Sequence, residues 1–327
     1  MKPKQIYLFA LLFVFQIHFA QHTDIINSNR PSESMSAFAV GKNVIQLESG
    51  LNYLKEKHVF LDYETKGMFL DLTTRYGFWR EQLEFIGEIS YQKDKFTTND
   101  DSRNRSGLRN TTLGFKYLAY DPFKNAKEKK INIYSWKANH QNKFNFRQLI
   151  PAVAGYAGMN LNFKNAYNEE PNQIGVISPK VMVITQHIIG SGYVVIGNVF
   201  MDKISTPRVS KGYIVTVTKA LNDKWSVFLE NKGIKGDFYA DAIFSGGGAY
   251  LISDHLQVDA SISTNYKNTP SVLYGGIGIS WRSDVNYEDI LVREKKEKKE
   301  ESKMDKKKKE KKEKNNKKRL DEVVETP

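Results

Sequence analysis

The chain has 327 residues, a net charge of +12 and no cysteine. The lack of cysteine excludes a disulfide framework, a thiolate metal site and a lipoprotein anchor. Residues 293–327 hold 16 Lys/Arg against 10 Asp/Glu, and Lys2 and Lys4 add two more bases, so most of the surplus lies outside the body and no nucleic-acid-binding face is expected.

The chain opens with "MKPKQIYLFALLFVFQIHFA": two lysines, an apolar run from Ile6 to Phe15, then Ala20. This order predicts a secretory signal peptide over 1–20 and export. The run is too short for a spanning helix, and no uninterrupted apolar stretch of ~18 residues follows it. Residues 21–42 are expected to form a periplasmic or plug segment ahead of the first strand.

From Gly41 onward the pattern has a period of two, broken by turn residues. It predicts about twelve strands within 43–282: 43–54, 67–76, 82–92, 108–119, 148–164, 176–189, 192–201, 211–220, 224–232, 238–251, 255–265 and 272–282. Each is near the length that a tilted membrane strand requires. One face carries Ile45, Leu47, Leu51, Tyr53, Leu70, Leu72 and their like. The other carries Glu48, Asp71, Arg75, Glu84, Glu88, Lys116, Glu230, Asp241 and Asp259. In "HLQVDASIST" (255–264) the two faces are especially distinct. A soluble sheet would turn the apolar face to a core, and a membrane barrel would turn it to lipid.

The links help to decide. "GFWRE", "GSG", "LNDK" and "SDH" are short and alternate with longer polar links such as "LKEKHVFLDYETK" and "KDKFTTNDDSRNRS". Short periplasmic turns alternating with longer external loops belong to outer-membrane barrels. Asp121–Phe146 breaks the rule and could hold a short periplasmic helix. The tail, 283–327, is low-complexity and lysine-rich and is expected to be disordered. With an even strand number it would lie on the periplasmic side. There its lysines could meet anionic groups of the cell wall, or it could act simply as a spacer.

No catalytic, cofactor or metal site is expected. The six histidines are scattered, and none has a same-face serine partner of the kind that nucleophilic catalysis needs. "NDDSRN" (99–104) lacks the spacing and glycine of a calcium loop. "GGG" (246–248) has no following Lys-Ser/Thr and suits strand curvature or close approach better than phosphate binding.

The segment "DIINSNRPSESMSAFAVGKNVIQLESGLNY" (24–53) resembles the start of an outer-membrane barrel family, the putative MetA-pathway of phenol degradation family, often labelled "transporter" in Bacteroidetes-type genomes. The likeness rests on Asn29-Arg30-Pro31, the Glu/Ser-rich stretch after it, and the strand motif Gln46-x-Glu48-x-Gly50. "LNDKWSVFLE" and "LISDHLQVDASIS" are similar to its recurring turn-plus-strand units. The resemblance implies an outer-membrane β-barrel channel for small, often apolar or aromatic molecules. It also implies that Arg30 folds into the barrel mouth to pair with a carboxylate such as Glu48 or Asp71, or else caps the periplasmic rim.

The expectation is an all-β transmembrane barrel in the bacterial outer membrane that passes a small solute. Its expected partners are outer-membrane lipid and the barrel-assembly machinery. The inward residues number seven acids against Arg75 and Lys116, so a wet lumen would favour cations. The alternatives are a non-conducting barrel with a structural or binding role, and a soluble secreted β protein.

Overall fold

The computed structural model describes residues 25–122, 149–167, 176–190 and 192–284. The expected signal peptide, positions 123–148 of the long link and the lysine-rich tail lie outside the described residues. In chain order the strands are β1 (Ile45–His58), β2 (Tyr63–Gly77), β3 (Leu83–Thr98), β4 (Ser102–Tyr120), β5 (Ala152–Leu161), β6 (Ile177–Ile189), β7 (Tyr193–Asp202), β8 (Ser210–Ala220), β9 (Trp225–Gly236), β10 (Ala240–Ser253), β11 (Leu256–Asn265) and β12 (Ser271–Ser283). Each pairs antiparallel with its sequence neighbours, and β1 pairs with β12, so the sheet closes into the expected twelve-strand barrel without a free edge.

The alternation is inside-out. Gln46, Glu48, Arg75 and Glu84 are at most 2% exposed, whereas Leu51, Leu70 and Leu229 are 46%, 47% and 73% exposed. A soluble sheet would reverse this order, so the exterior is built to face an apolar medium. Aromatic residues border the apolar band at both ends: Tyr117, Tyr193, Trp225 and Trp281 at one, Tyr53, Tyr91 and Tyr213 at the other, all outward and exposed. Tyr117 is opposite Leu83, and the stretch Leu83–Tyr91 is close to the ~9 residues with which a tilted strand crosses the hydrocarbon layer.

The loops differ from expectation on β1–β4. "LKEKHVFLDYETK" and "KDKFTTNDDSRNRS" are mostly strand: β1 and β2 remain paired out to His58 and Tyr63, and β3 and β4 out to Thr97 and Ser102. Above Tyr53 the outward residues change from apolar to lysine. Hydropathy then stops marking the strand although the ladder of hydrogen bonds continues.

The interior also differs from a purely polar lumen. On β5–β8 the inward face carries Ala154, Tyr156, Met182, Ile184, Phe200 and Ile214. With Ile86 and Leu118 these form one buried cluster that includes Met35 and Ala37 of the N-terminal segment. Of the three adjacent glycines, Gly247 is the tightest: a Cβ there would lie 2.8 Å from the Phe228 ring and 2.2 Å from the Ala260 carbonyl oxygen. The close-approach reading of this stretch fits that crowding.

Candidate functional site

Residues 25–44 enter the barrel at the end that holds the start of β1 and the end of β12. Ile26 N–H donates to the Asp254 carbonyl in the β10–β11 turn (2.8 Å), and the Arg282 guanidinium donates to the Ile25 carbonyl (3.1 Å). The segment climbs into the lumen, turns through 29–36 and descends to meet β2, where Asn43 N–H donates to the Gly77 carbonyl at 2.7 Å. It contains no regular ladder of its own, so the barrel wall must satisfy its backbone groups.

The first set of wall contacts comes from β1–β4 and is ionic. Arg75 pairs with Glu84 at 3.1 Å and with Glu48 at 3.4 Å, and Lys116 pairs with Glu84 at 2.7 Å. All four side chains are at most 1% exposed. The remaining valences go to the segment: Arg75 donates to the Asn27 carbonyl (2.7 Å), Lys116 to the Ser36 and Phe38 carbonyls (2.7 and 2.9 Å), and Glu84 accepts from Val40 N–H (2.8 Å). Buried charges persist only when paired and hydrogen-bonded, and here the segment completes that requirement.

The second set seats Arg30. Its guanidinium donates to both oxygens of Asp259 on β11, at 3.0 and 3.3 Å, so the ion pair is with Asp259 and not with Glu48 or Asp71. The physical reason is a notch. Gly50 and Gly278 are cross-strand partners, Asp259 is opposite Gly278, and the guanidinium lies over the two glycines. The sequence motif thus becomes a docking rail. Gln46 donates to the Asn27 carbonyl (3.1 Å), Glu48 accepts from Asn29 N–H (3.3 Å), and Gly50 leaves room for Arg30.

The third set comes from β6, β7 and β9; its amide contacts were not read from the sequence, whereas Glu230 was among the expected inward residues. Asn198 on β7 accepts from Met35 N–H (2.8 Å) and donates to the Met35 carbonyl (3.0 Å), as a partner strand would. Gln186 on β6 accepts from Ser36 Oγ and Ala37 N–H, both at 2.9 Å. Glu230 on β9 accepts from the backbone N–H groups of Glu33 and Ser34 at 3.2 Å. At the top of the turn, Glu33 pairs with Lys232 and accepts from the Tyr274 hydroxyl. Desolvation inside the barrel raises the Glu33 carboxyl, and the Lys232 ammonium, the Tyr274 hydroxyl and Arg109 together more than reverse this, holding it at about 2.

Above the turn lies a cavity of about 580 Å³, and beside its lower part a second of about 180 Å³; residues Asn29, Arg30, Pro31 and Ser32 line both. Leu54, Phe69, Val272 and Tyr274 form an apolar wall of the upper cavity. Asp71, Glu88, Arg109 and Lys180 supply charge. Asp71 accepts from Asn52 at 3.1 Å, and Glu88 is 3.9 Å from Lys180. Asp241 stands apart from the segment, bonded to Tyr239 and Asn265 near the far rim.

The inward face holds more charge of both signs than the sequence suggested, and acids remain in excess around the upper cavity: Glu33, Glu48, Glu56, Asp71, Glu88, Asp202 and Glu230 against Arg30, Arg109, Lys180 and Lys232. Lys180, Lys232 and Arg109 line the upper cavity, Arg282 is buried, and Arg30 enters with the segment. Lys232 and Lys180 were legible, since they keep the face of Glu230 and Gln186. Arg109 was not. The register shifts opposite Ser90 and Tyr91, whose partners are Asn110 and Leu108, and this bulge turns Arg109 inward out of phase with the alternation.

The chain is similar to several solved structures. The COG4313 outer membrane channel from Pseudomonas putida F1 is 10% identical, with 79% of this chain and all of that chain covered and a TM-score of 0.48. The translocator domain of the autotransporter NalP from Neisseria meningitidis is 9% identical, with 74% and 89% covered and a TM-score of 0.45. The Pseudomonas putida toluene transporter TodX is 7% identical, with 82% and 98% covered and a TM-score of 0.40. No curated protein matches the chain. The family described as "Putative MetA-pathway of phenol degradation" matches residues 28–283, which include the Asn29-Arg30-Pro31 element, its docking rail and all twelve strands. The chain belongs to that family.

Proposed function

We propose that the protein is an outer-membrane channel for a small solute with an apolar or aromatic body, closed from the periplasmic side by residues 25–44. One observation carries this reading: the apex of the segment, Asn29–Ser32, separates two cavities of about 580 and 180 Å³ in one lumen. The upper volume falls in the ~300–1,000 Å³ range of small-molecule sites. The wall of Leu54, Phe69, Val272 and Tyr274 offers an apolar and aromatic face for such a body, and charged side chains line the rest of the cavity. Passage then requires the apex to move, while the ionic contacts at Arg75, Glu84 and Lys116 hold the base of the segment in place.

A non-conducting barrel is the second reading, favoured by the dense bonding of the segment to the wall. Liposome swelling with the folded protein separates the two. Phenol-sized neutral solutes are expected to enter, faster than sugars of equal size, and entry should rise when Arg30→Ala frees the apex. No entry by either form, with both shown folded by heat-modifiable migration, would reject the channel. Acids outnumber bases around the upper cavity, so small cations are expected to enter in preference to small anions.

A further inference from the structure

On β1–β3 the outward face changes abruptly just beyond the aromatic border. Tyr53 is followed two residues on by Lys55 and then Lys57, and Tyr91 by Lys93 and Lys95; Lys66 takes the matching place on β2. The register sets Lys55 opposite Lys66, and Lys66 opposite Lys95. Three ammonium groups therefore stand in one row across adjacent strands, with backbones ~4.8 Å apart. Lys57 and Lys93 flank the row, and all five are exposed.

Like charges directly opposite on a sheet are destabilising. The protein supplies little to offset them. Glu64 is 2.8 Å from Lys66 and 3.9 Å from Lys55, and among the described residues no carboxylate lies within ion-pair distance of Lys57, Lys93 or Lys95. The nearby acids Asp62, Asp100 and Asp101 sit in the hairpin tips, farther from the apolar band. The row lies at the end of the barrel opposite the start of β1 and the end of β12, the end that faces outward in an outer-membrane barrel.

We infer that this row binds the phosphate groups of outer-leaflet lipid headgroups. The height argues for a lipid. The apolar surface below would hold acyl chains, the tyrosines mark the interface, and the lysines stand where headgroup phosphates begin. The charge argues for phosphates clustered on one molecule, because the lysine ends fan over a width that a single monoanion would not span. The lysine stems can lie along the apolar surface while their ends reach the phosphates.

Native mass spectrometry of the purified full-length protein in non-ionic detergent tests this. The probes are bisphosphorylated lipid A, its dephosphorylated form, phosphatidylglycerol and inorganic phosphate. Retention of bisphosphorylated lipid A is expected, weakening by roughly fivefold for each lysine removed from the row in Lys55→Gln, Lys66→Gln and Lys95→Gln combinations. Lys224→Gln, in a turn at the opposite end, should retain the lipid as before. Heat-modifiable migration establishes that each variant is folded. Equal retention of the dephosphorylated form, or unchanged binding by the triple variant, would overturn the assignment. Equal competition by phosphatidylglycerol or inorganic phosphate would overturn the outer-leaflet source.

Discussion

Arg30 occupies the volume that a side chain at Gly50 would fill: a Cβ there would lie 2.1 Å from its Nη1. The same guanidinium is 2.2 Å, at Nε, from the Cβ position of Gly278, the cross-strand partner of Gly50. The arginine can give way because only its flexible end is in contact. It cannot do so and keep both bonds to Asp259. Gly50→Val should therefore leave the barrel folded but release the apex of the segment. The chain has no cysteine, so Ser32→Cys is a unique reporter. Its labelling by a water-soluble maleimide should be about tenfold faster with Gly50→Val, for a loss of roughly 1.5 kcal/mol in a charge-assisted contact. Unchanged labelling would show that the notch does not hold the apex.

The Glu84 cluster should behave differently, because it is fully buried. Removing one partner leaves a charge stranded in low dielectric, at about 3–5 kcal/mol. Glu84→Leu strands Lys116 and takes from Arg75 its closer carboxylate, leaving the bond to Glu48. Urea titration of heat-modifiable migration should show a loss in that range. Glu88→Gln, whose partner Lys180 is 3.9 Å away and partly solvated, should cost under ~1 kcal/mol. Similar losses for the two variants would contradict the role of burial.

The barrel was legible because a period of two marks the membrane-level part of most strands and needs no long-range information, although β5–β8 also carry apolar residues inward. Gln46, Glu48 and Gly50 were visible as a motif, yet their common task was not, since it depends on where residues 27–30 return in space. Asp259 could not be chosen over Glu48 or Asp71 as the partner of Arg30 for the same reason. The choice is made by two glycines on different strands. The amide contacts of Gln186 and Asn198 escaped notice because neutral residues stand out less than charged ones on a strand. Arg109 required knowledge of a bulge, and a bulge leaves no mark on hydropathy.

The outer surface makes an independent prediction. Leu51 lies on the apolar face between the two aromatic borders and is 46% exposed to the surrounding medium. Leu51→Arg should destabilise the folded barrel in lipid by more than ~1 kcal/mol, short of the about 2–4 kcal/mol at the bilayer midplane because Tyr53 lies only two residues beyond it. Lys57→Leu, at the rim, should cost far less. Refolding into vesicles across a urea series measures both. Near-zero loss for Leu51→Arg would mean that this face does not meet hydrocarbon.

The contact at Glu33 sets a pH window. Its carboxyl ordinarily titrates near 4.5 and is held at about 2, because Lys232, with Tyr274 and Arg109, outweighs the cost of desolvation. A folded-state value below the unfolded one contributes stability that is complete above pH ~4.5 and is lost as pH falls toward 2. Tyr274, Arg109 and Glu230 also face this carboxyl. Acid should therefore speed maleimide labelling of Ser32→Cys, measured after a brief pH pulse and return to neutrality. Glu33→Gln should remove most of that acid-dependent rise while raising the rate at pH 7. The isosteric amide keeps a hydrogen-bonding carbonyl for Tyr274 but gives Lys232 no charge to hold, so a retained acid step in Glu33→Gln would assign the transition to Glu230 or another wall carboxylate instead.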